Sequence, residues 1–182
     1  MNVVLGVLAE LRRVNAGPLA LRAVALGSGF AAVLLAVPAP VRGPGVWLLA
    51  GLLALGAAIG VSTPWVSALE YVAVLVWFAT TTIYRYDLDV GQVLGLMFAL
   101  YLHHSACALA AVLPVDAVVA PRLLRDWALR TGAVLTVSLL AGAVILALPS
   151  LTGRSTSVWV PVAGLVALLA AGYLVVRLAR RT

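Results

Sequence analysis

The chain has 182 residues, 64% of them hydrophobic and only 10% charged, with a mean hydropathy of +1.15. Soluble domains carry roughly 45–50% apolar and about 25% charged residues, so this composition excludes a water-facing globule and points to a polytopic membrane protein. The net charge of +6 comes from twelve arginines and six acids with no lysine, which removes Schiff-base chemistry, a P-loop and pyridoxal phosphate anchoring.

Residues 2–14 place Val3, Val4, Val7, Leu8, Leu11 and Val14 near one helical face, with Glu10, Arg12 and Arg13 toward the other. The stretch is too short to span, so it reads as an interfacial helix. Pro18 opens a first crossing over about 18–37. Val37-Pro38-Ala39 resembles a signal-peptide cleavage site, but Pro40 directly after it obstructs processing, and the segment reads as a retained helix. Pro38, Pro40, Gly43 and Pro44 break the chain. A second crossing follows over about 45–62, and a third over about 65–84 with Glu70 inside it. Arg85 to Asp89 form a loop in which Asp87 and Asp89 make a small acidic spot that solvation explains. The fourth crossing, about 90–113, is closed by Pro114. Pro121 suits a first helical turn, and the fifth crossing, about 123–148, begins just beyond it, its entry long enough to protrude. Pro149 to Thr156 is a turn, and 157–177 is the sixth crossing.

The expected fold is therefore all-α: one integral membrane domain over 1–182, a bundle of six transmembrane helices plus a short N-terminal interfacial helix. With an inner amino terminus, Arg12, Arg13, Arg22, Arg122, Arg125, Arg130, Arg177, Arg180 and Arg181 lie inside, and Arg42, Arg85 and Arg154 outside. This is the positive-inside bias, and it puts both termini in the cytoplasm. Trp47, Trp65, Tyr84, Tyr86, Trp127 and Trp159 fall near helix ends, where aromatic belts form. No internal repeat relates the two halves, and the lysine-free, Ala/Leu/Val/Arg-rich composition fits a GC-rich bacterial genome and its cytoplasmic membrane.

An ionisable side chain inside a crossing costs about 2.5–3.5 kcal/mol by insertion scales, so it faces protein or water. Glu70 is such a group, and His103 and His104 are the two histidines of the chain. A tight turn around Tyr86-Asp87 would bring Glu70 and His103 to equal depth on neighbouring antiparallel helices. Consecutive helical positions point about 100° apart, so which histidine faces Glu70 stays open. The cluster reads either as a proton-responsive pair or as an interhelical hydrogen bond that sets helix register. Adjacent histidines cannot ligate opposite faces of one haem iron. Two histidines and one cysteine, Cys107, fall short of a zinc site, a disulfide or a redox pair, so no cofactor or metal is expected. Cys107 reads as a small buried residue.

Gly56 and Gly60, and again Gly91 and Gly95, are spaced four apart and let another helix approach closely. Packing within the chain explains them more simply than dimerisation. Arg122, Asp126 and Arg130 recur at i,i+4 as a cytoplasmic charged face at the entry to helix five, open to headgroups or a soluble partner. No basic stripe interleaved with aromatics exists, so no nucleic acid is expected.

The segment YLHHSACALAAVLPVDAVVAPRLLRDWALR at 101–130 resembles small multi-pass actinobacterial membrane proteins of unknown function. In them a histidine-bearing helix leads through Leu-Pro and an acid into an arginine-bearing helix; here these would be His103 or His104, Leu113-Pro114, Asp116, and Arg122 to Arg130. Some are encoded with MoxR-type AAA ATPases, so the resemblance implies an accessory role. The expected function is a non-enzymatic accessory or scaffold subunit of a bacterial membrane complex, partnered by the bilayer and by other membrane subunits or further copies. The alternative is a small proton-coupled transporter using Glu70 and His103 or His104. An intramembrane enzyme ranks third, because no nucleophile–base pair has motif spacing and no second mid-membrane acid pairs with Glu70.

Overall fold

The computed structural model describes residues 15–61, 65–83 and 90–152. The expected interfacial helix at 2–14, the 85–89 loop and the crossing at 157–177 lie outside the described residues. Five α-helices are present among them: α1 (Ala16–Ala36), α2 (Pro44–Ile59), α3 (Trp65–Phe78), α4 (Val90–Val112) and α5 (Pro121–Thr152). The chain divides into two compact units, residues 1–139 and 140–182. Helices α1–α4 and the start of α5 belong to the first. Of the second, the stretch from Leu140 to Thr152 is described, and it is helical.

Proline sets most of the boundaries. Pro18 sits in the first turn of α1, where a missing N–H costs nothing. Val37 precedes Pro38 and takes extended angles, φ −104° and ψ 130°, which ends α1. Pro44 opens α2 and Pro121 opens α5. Asn15 does not cap its own helix. Instead its backbone N–H donates to the Val115 carbonyl at 3.2 Å, and its side-chain amide donates to the Asp116 carbonyl at 2.6 Å. The start of α1 is thereby tied to the segment between α4 and α5.

The end of α1 is tied as firmly. The last carbonyls of a helix lack intrahelical partners, and here other elements supply them. Gln92 Nε2 donates to Leu35 at 2.7 Å, Thr80 Oγ1 to Ala36 at 3.4 Å and Arg42 Nε to Val37 at 2.9 Å. Helix α1 is the centre of the first unit, packing most extensively on α4, then on α2 and α3. The buried positions are mostly small: Ala25, Ser28, Gly29, Ala32 and Ala36 on α1, Ala50, Ala54 and Ala57 on α2, and Ala99, Ala106 and Ala110 on α4. Membrane helices gain little from burying large apolar groups away from equally apolar lipid, so close backbone approach carries the packing.

The expectation of six crossings is corrected. Three of the described helices are long and apolar enough to cross a membrane: Ala16–Ala36, Val90–Val112 and the Pro121–Val144 stretch of α5. The apolar runs at 45–62 and 65–84 have the length of spans as sequence, but their helices do not. Helix α2 stops after 16 residues at Gly60, whose N–H donates to the Gly56 carbonyl, and so covers about 24 Å of a core roughly 30 Å thick. Helix α3 stops at Phe78 and gives way to a π turn over Ala79–Ile83. Three consecutive threonines begin there, and the Thr80 hydroxyl competes for backbone, donating to the Trp77 carbonyl at 2.9 Å. Helix α5 also runs through Pro149, where a turn was expected; in membrane helices neighbouring groups can re-satisfy the one carbonyl a proline frees. The chain is an integral, multi-pass membrane protein built as an all-α bundle.

Candidate functional site

Three successive residues of α4 reach three different helices. Because each step along a helix turns by about 100°, His103, His104 and Ser105 point in three directions, and each finds a partner. His103 meets α1: its Nδ1 lies 2.8 Å from the Ala25 carbonyl. A carbonyl only accepts, so Nδ1 carries the proton and Nε2 is left as the acceptor, with the Cys107 thiol 3.8 Å away. The imidazole is fully buried at 0% exposure. It lies against the backbone of α1 because Gly29 has no side chain there. A Cβ at that position would stand 2.7 Å from His103 Nδ1, 2.9 Å from its Cε1 and 3.0 Å from Leu69 Cδ1.

His104 meets α3. Its Nδ1 lies 3.0 Å from Glu70 Oε1, the imidazole N–H donating to the carboxylate. This pair is on the outside of the bundle, with side chains 67% and 27% exposed respectively. Glu70 and the two histidines therefore do share a level, but the buried histidine and the carboxylate-bound histidine are different residues with different surroundings.

Ser105 meets α5. Its hydroxyl accepts from the Trp127 indole N–H at 2.9 Å and shares a hydrogen bond with the Thr131 hydroxyl at 3.0 Å. The α4 and α5 backbones come close at few points, and these side chains bridge them. Between the two helices lies a cleft of about 390 Å³ lined by Tyr101, Ser105, Leu109, Trp127, Arg130, Thr131 and their neighbours.

The charged face of α5 is less continuous than its spacing suggests. Arg122 Nε and Asp126 Oδ2 stand 3.9 Å apart, both well exposed, a geometry worth little in stability. Arg130 has no carboxylate within ion-pair reach among the described residues. On α1, Arg22 holds one guanidinium nitrogen, Nη1, buried without a hydrogen-bond partner among the described residues.

The four glycines singled out by spacing do separate jobs. Gly56 faces the Trp65 ring, 3.5 Å from where a Cβ would be, and Gly60 ends α2. Gly95 lies against Leu35 of α1, and Gly91 is exposed near the start of α4. Gly29, which has no room for a Cβ beside His103, escapes a spacing rule because its i,i−4 companion is Ala25 rather than a second glycine. Ser105 and Thr131 carry no sequence signal either, and Trp127 carries only its place near a helix end, since hydroxyls and an indole are common on membrane helices and only the fold brings these together.

Compared with protein-family models, curated proteins and solved structures, the chain matches none.

Proposed function

We propose that this chain is a non-enzymatic accessory or scaffold subunit of a bacterial membrane complex. The observation that carries this reading is divergence. A catalytic or substrate site needs polar groups that converge on one point, whereas His103, His104 and Ser105 diverge to Ala25, Glu70 and the Trp127–Thr131 pair on three helices. Their hydrogen bonds are spent on holding the bundle together. Loops such as 113–120 are also too short to form a soluble domain. The positive-inside rule puts the charged first turns of α5, with Arg122, Arg125 and Arg130, at the cytoplasmic face of the membrane, and with them the tied end of α1 at Asn15.

Other membrane subunits are the expected partners, reached through the exposed side of the bundle. A photo-reactive amino acid placed at position 104 in the full chain, with position 52 on exposed Leu52 of α2 as control, tests this. The subunit reading expects a discrete protein adduct from 104 and lipid adducts from 52. Lipid adducts alone from 104 would count against it.

The alternative, a proton-coupled transporter, is favoured by one observation, the 3.0 Å carboxylate–imidazole pair. It now rests on Glu70 and His104, since His103 is sealed between helices. Proton flux into vesicles containing the chain alone, abolished by Glu70→Gln, would establish it and overturn the subunit reading.

A further inference from the structure

The α4–α5 cleft carries both signs of charge in a fixed order along its length. Helix α5 is 32 residues long, about 48 Å, against a core of roughly 30 Å. Arg122, Arg125, Asp126 and Arg130 all lie in its first turns, and no charged residue follows from Thr131 to Thr152. Arg130 thus stands where the charged part of α5 meets the apolar part, the level at which a lipid headgroup meets its chains.

Three features of the cleft select an occupant. Arg130 lines it with no ion-pair partner among the described residues. Asp126 lines it one turn nearer the start of α5 and is held only by a 3.9 Å approach of exposed Arg122. Val134 and Tyr101 line it one turn deeper as an apolar floor, whereas Leu109 and Leu123 lie at its other end, at and beyond the level of Asp126. Outward along α5 from Val134 to Asp126, the order is apolar, cationic, anionic, with Leu123 at the rim beyond. An aminophospholipid has the complementary order: acyl chains, phosphate, ammonium. A purely anionic headgroup would leave Asp126 facing negative charge, and a choline headgroup has no N–H to donate to it.

The α4–α5 backbones also stand apart, joined by the Ser105 bridges rather than by close packing. The Trp127 N–H is occupied by Ser105, so its ring offers an apolar face to a chain lying in the cleft.

We propose that the cleft between α4 and α5 binds one zwitterionic aminophospholipid of the phosphatidylethanolamine class, its phosphate on Arg130 and its ammonium on Asp126. The phosphate receives charge-assisted hydrogen bonds from the guanidinium, and the carboxylate accepts from the ammonium. Snorkelling lets the Arg130 head reach outward to headgroup level while its stem lies along the cleft.

Native mass spectrometry of the full chain released from nanodiscs of defined composition tests this, with phosphatidylethanolamine, phosphatidylcholine and phosphatidylglycerol compared in turn. The wild-type chain is expected to retain one phosphatidylethanolamine and to prefer it about tenfold over the other two, since a hydrogen bond to a charged group contributes on that order. Arg130→Gln removes retention of all three lipids, whereas Asp126→Asn brings phosphatidylethanolamine down to the level of phosphatidylcholine. Arg125→Gln, outside the cleft lining, changes nothing. Arg130→Lys, which keeps the charge, retains the lipid if Arg130→Gln fails to fold. Equal retention of the three lipids by the wild type overturns the proposal, as does undiminished phosphatidylethanolamine on a folded Arg130→Gln chain. Displacement of the lipid by soluble glycerophosphoethanolamine at equal concentration also overturns it, because the site would then recognise a headgroup without chains.

Discussion

Helix α4 has two very different neighbours. Toward α1 it presents Ala99, His103, Ala106 and Ala110, all buried, and the two helices make the most extensive contact in the first unit. Toward α5 it presents Tyr101, Ser105 and Leu109, which line a cleft and touch across it by side chains. The contrast shows one helix using polar groups for two purposes. At the α1 contact a single imidazole is enclosed and both ring nitrogens have company, so any change there meets dense packing. At the α5 contact the hydrogen bonds hold two helices at a distance, and change there is cheap.

The largest effect is expected at the enclosed side. His103→Ala removes a wholly buried ring and its bond to the Ala25 carbonyl. Truncations of large buried side chains cost about 2–5 kcal/mol, so the variant should lose that order of stability when unfolding is followed in detergent. Gly29→Ala comes next. Its new Cβ would overlap His103, and overpacking of this kind costs about 1–3 kcal/mol. The two are coupled, so a double-mutant cycle should show Gly29→Ala becoming much milder once His103→Ala has cleared the space. Additive losses would mean that the imidazole is not what Gly29 accommodates.

Smaller effects are expected on the open sides. Trp127→Phe deletes the indole N–H to Ser105 while keeping the ring, and interhelical hydrogen bonds in membrane proteins average about 0.6 kcal/mol. The same unfolding assay should report a loss near that value, and a loss as large as that of His103→Ala would erase the distinction between the two contacts. Smallest of all is the outward pair. Replacing both Glu70 and His104 with leucine should leave stability within about 0.5 kcal/mol of wild type, as for surface changes in general. Adding His103→Leu to that double change should then bring a distinct further loss. If the double change alone were as costly, the 67% exposure of His104 would not describe its surroundings in the folded chain.

These cases also mark what a sequence can tell. The shared level of Glu70 and the histidines followed from residue spacing alone, since antiparallel neighbours joined by a short loop pair their depths. The division of labour between His103 and His104 did not, because a 100° rotation decides it and no local pattern fixes that angle. The partner of His103 is a backbone carbonyl, and Ala25 carries no side-chain mark of the role. The candidate spans Ala16–Ala36, Val90–Val112 and Pro121–Val144, expected at 18–37, 90–113 and 123–148, were legible because a proline marks at least one end of each. Those at 45–62 and 65–84 were not, because hydropathy measures the length of an apolar run and not where its backbone stops being α-helical. Thr80 made the difference in the second case by turning its hydroxyl onto Trp77 and toward the end of α1.

The fan of His103, His104 and Ser105 constrains how this chain can vary. A single residue inserted or deleted in α4 before position 103 would turn the downstream face by about 100°, handing each partner the wrong side chain at once: Ala25 would meet a neighbour of the imidazole, and Glu70 and Trp127 likewise. Point substitutions can be absorbed one contact at a time, but a frame change in the helix cannot. Length variation in this part of the chain is therefore confined to the segments flanking α4, and between Leu113 and Ala120 it must still leave the Val115 and Asp116 carbonyls on Asn15.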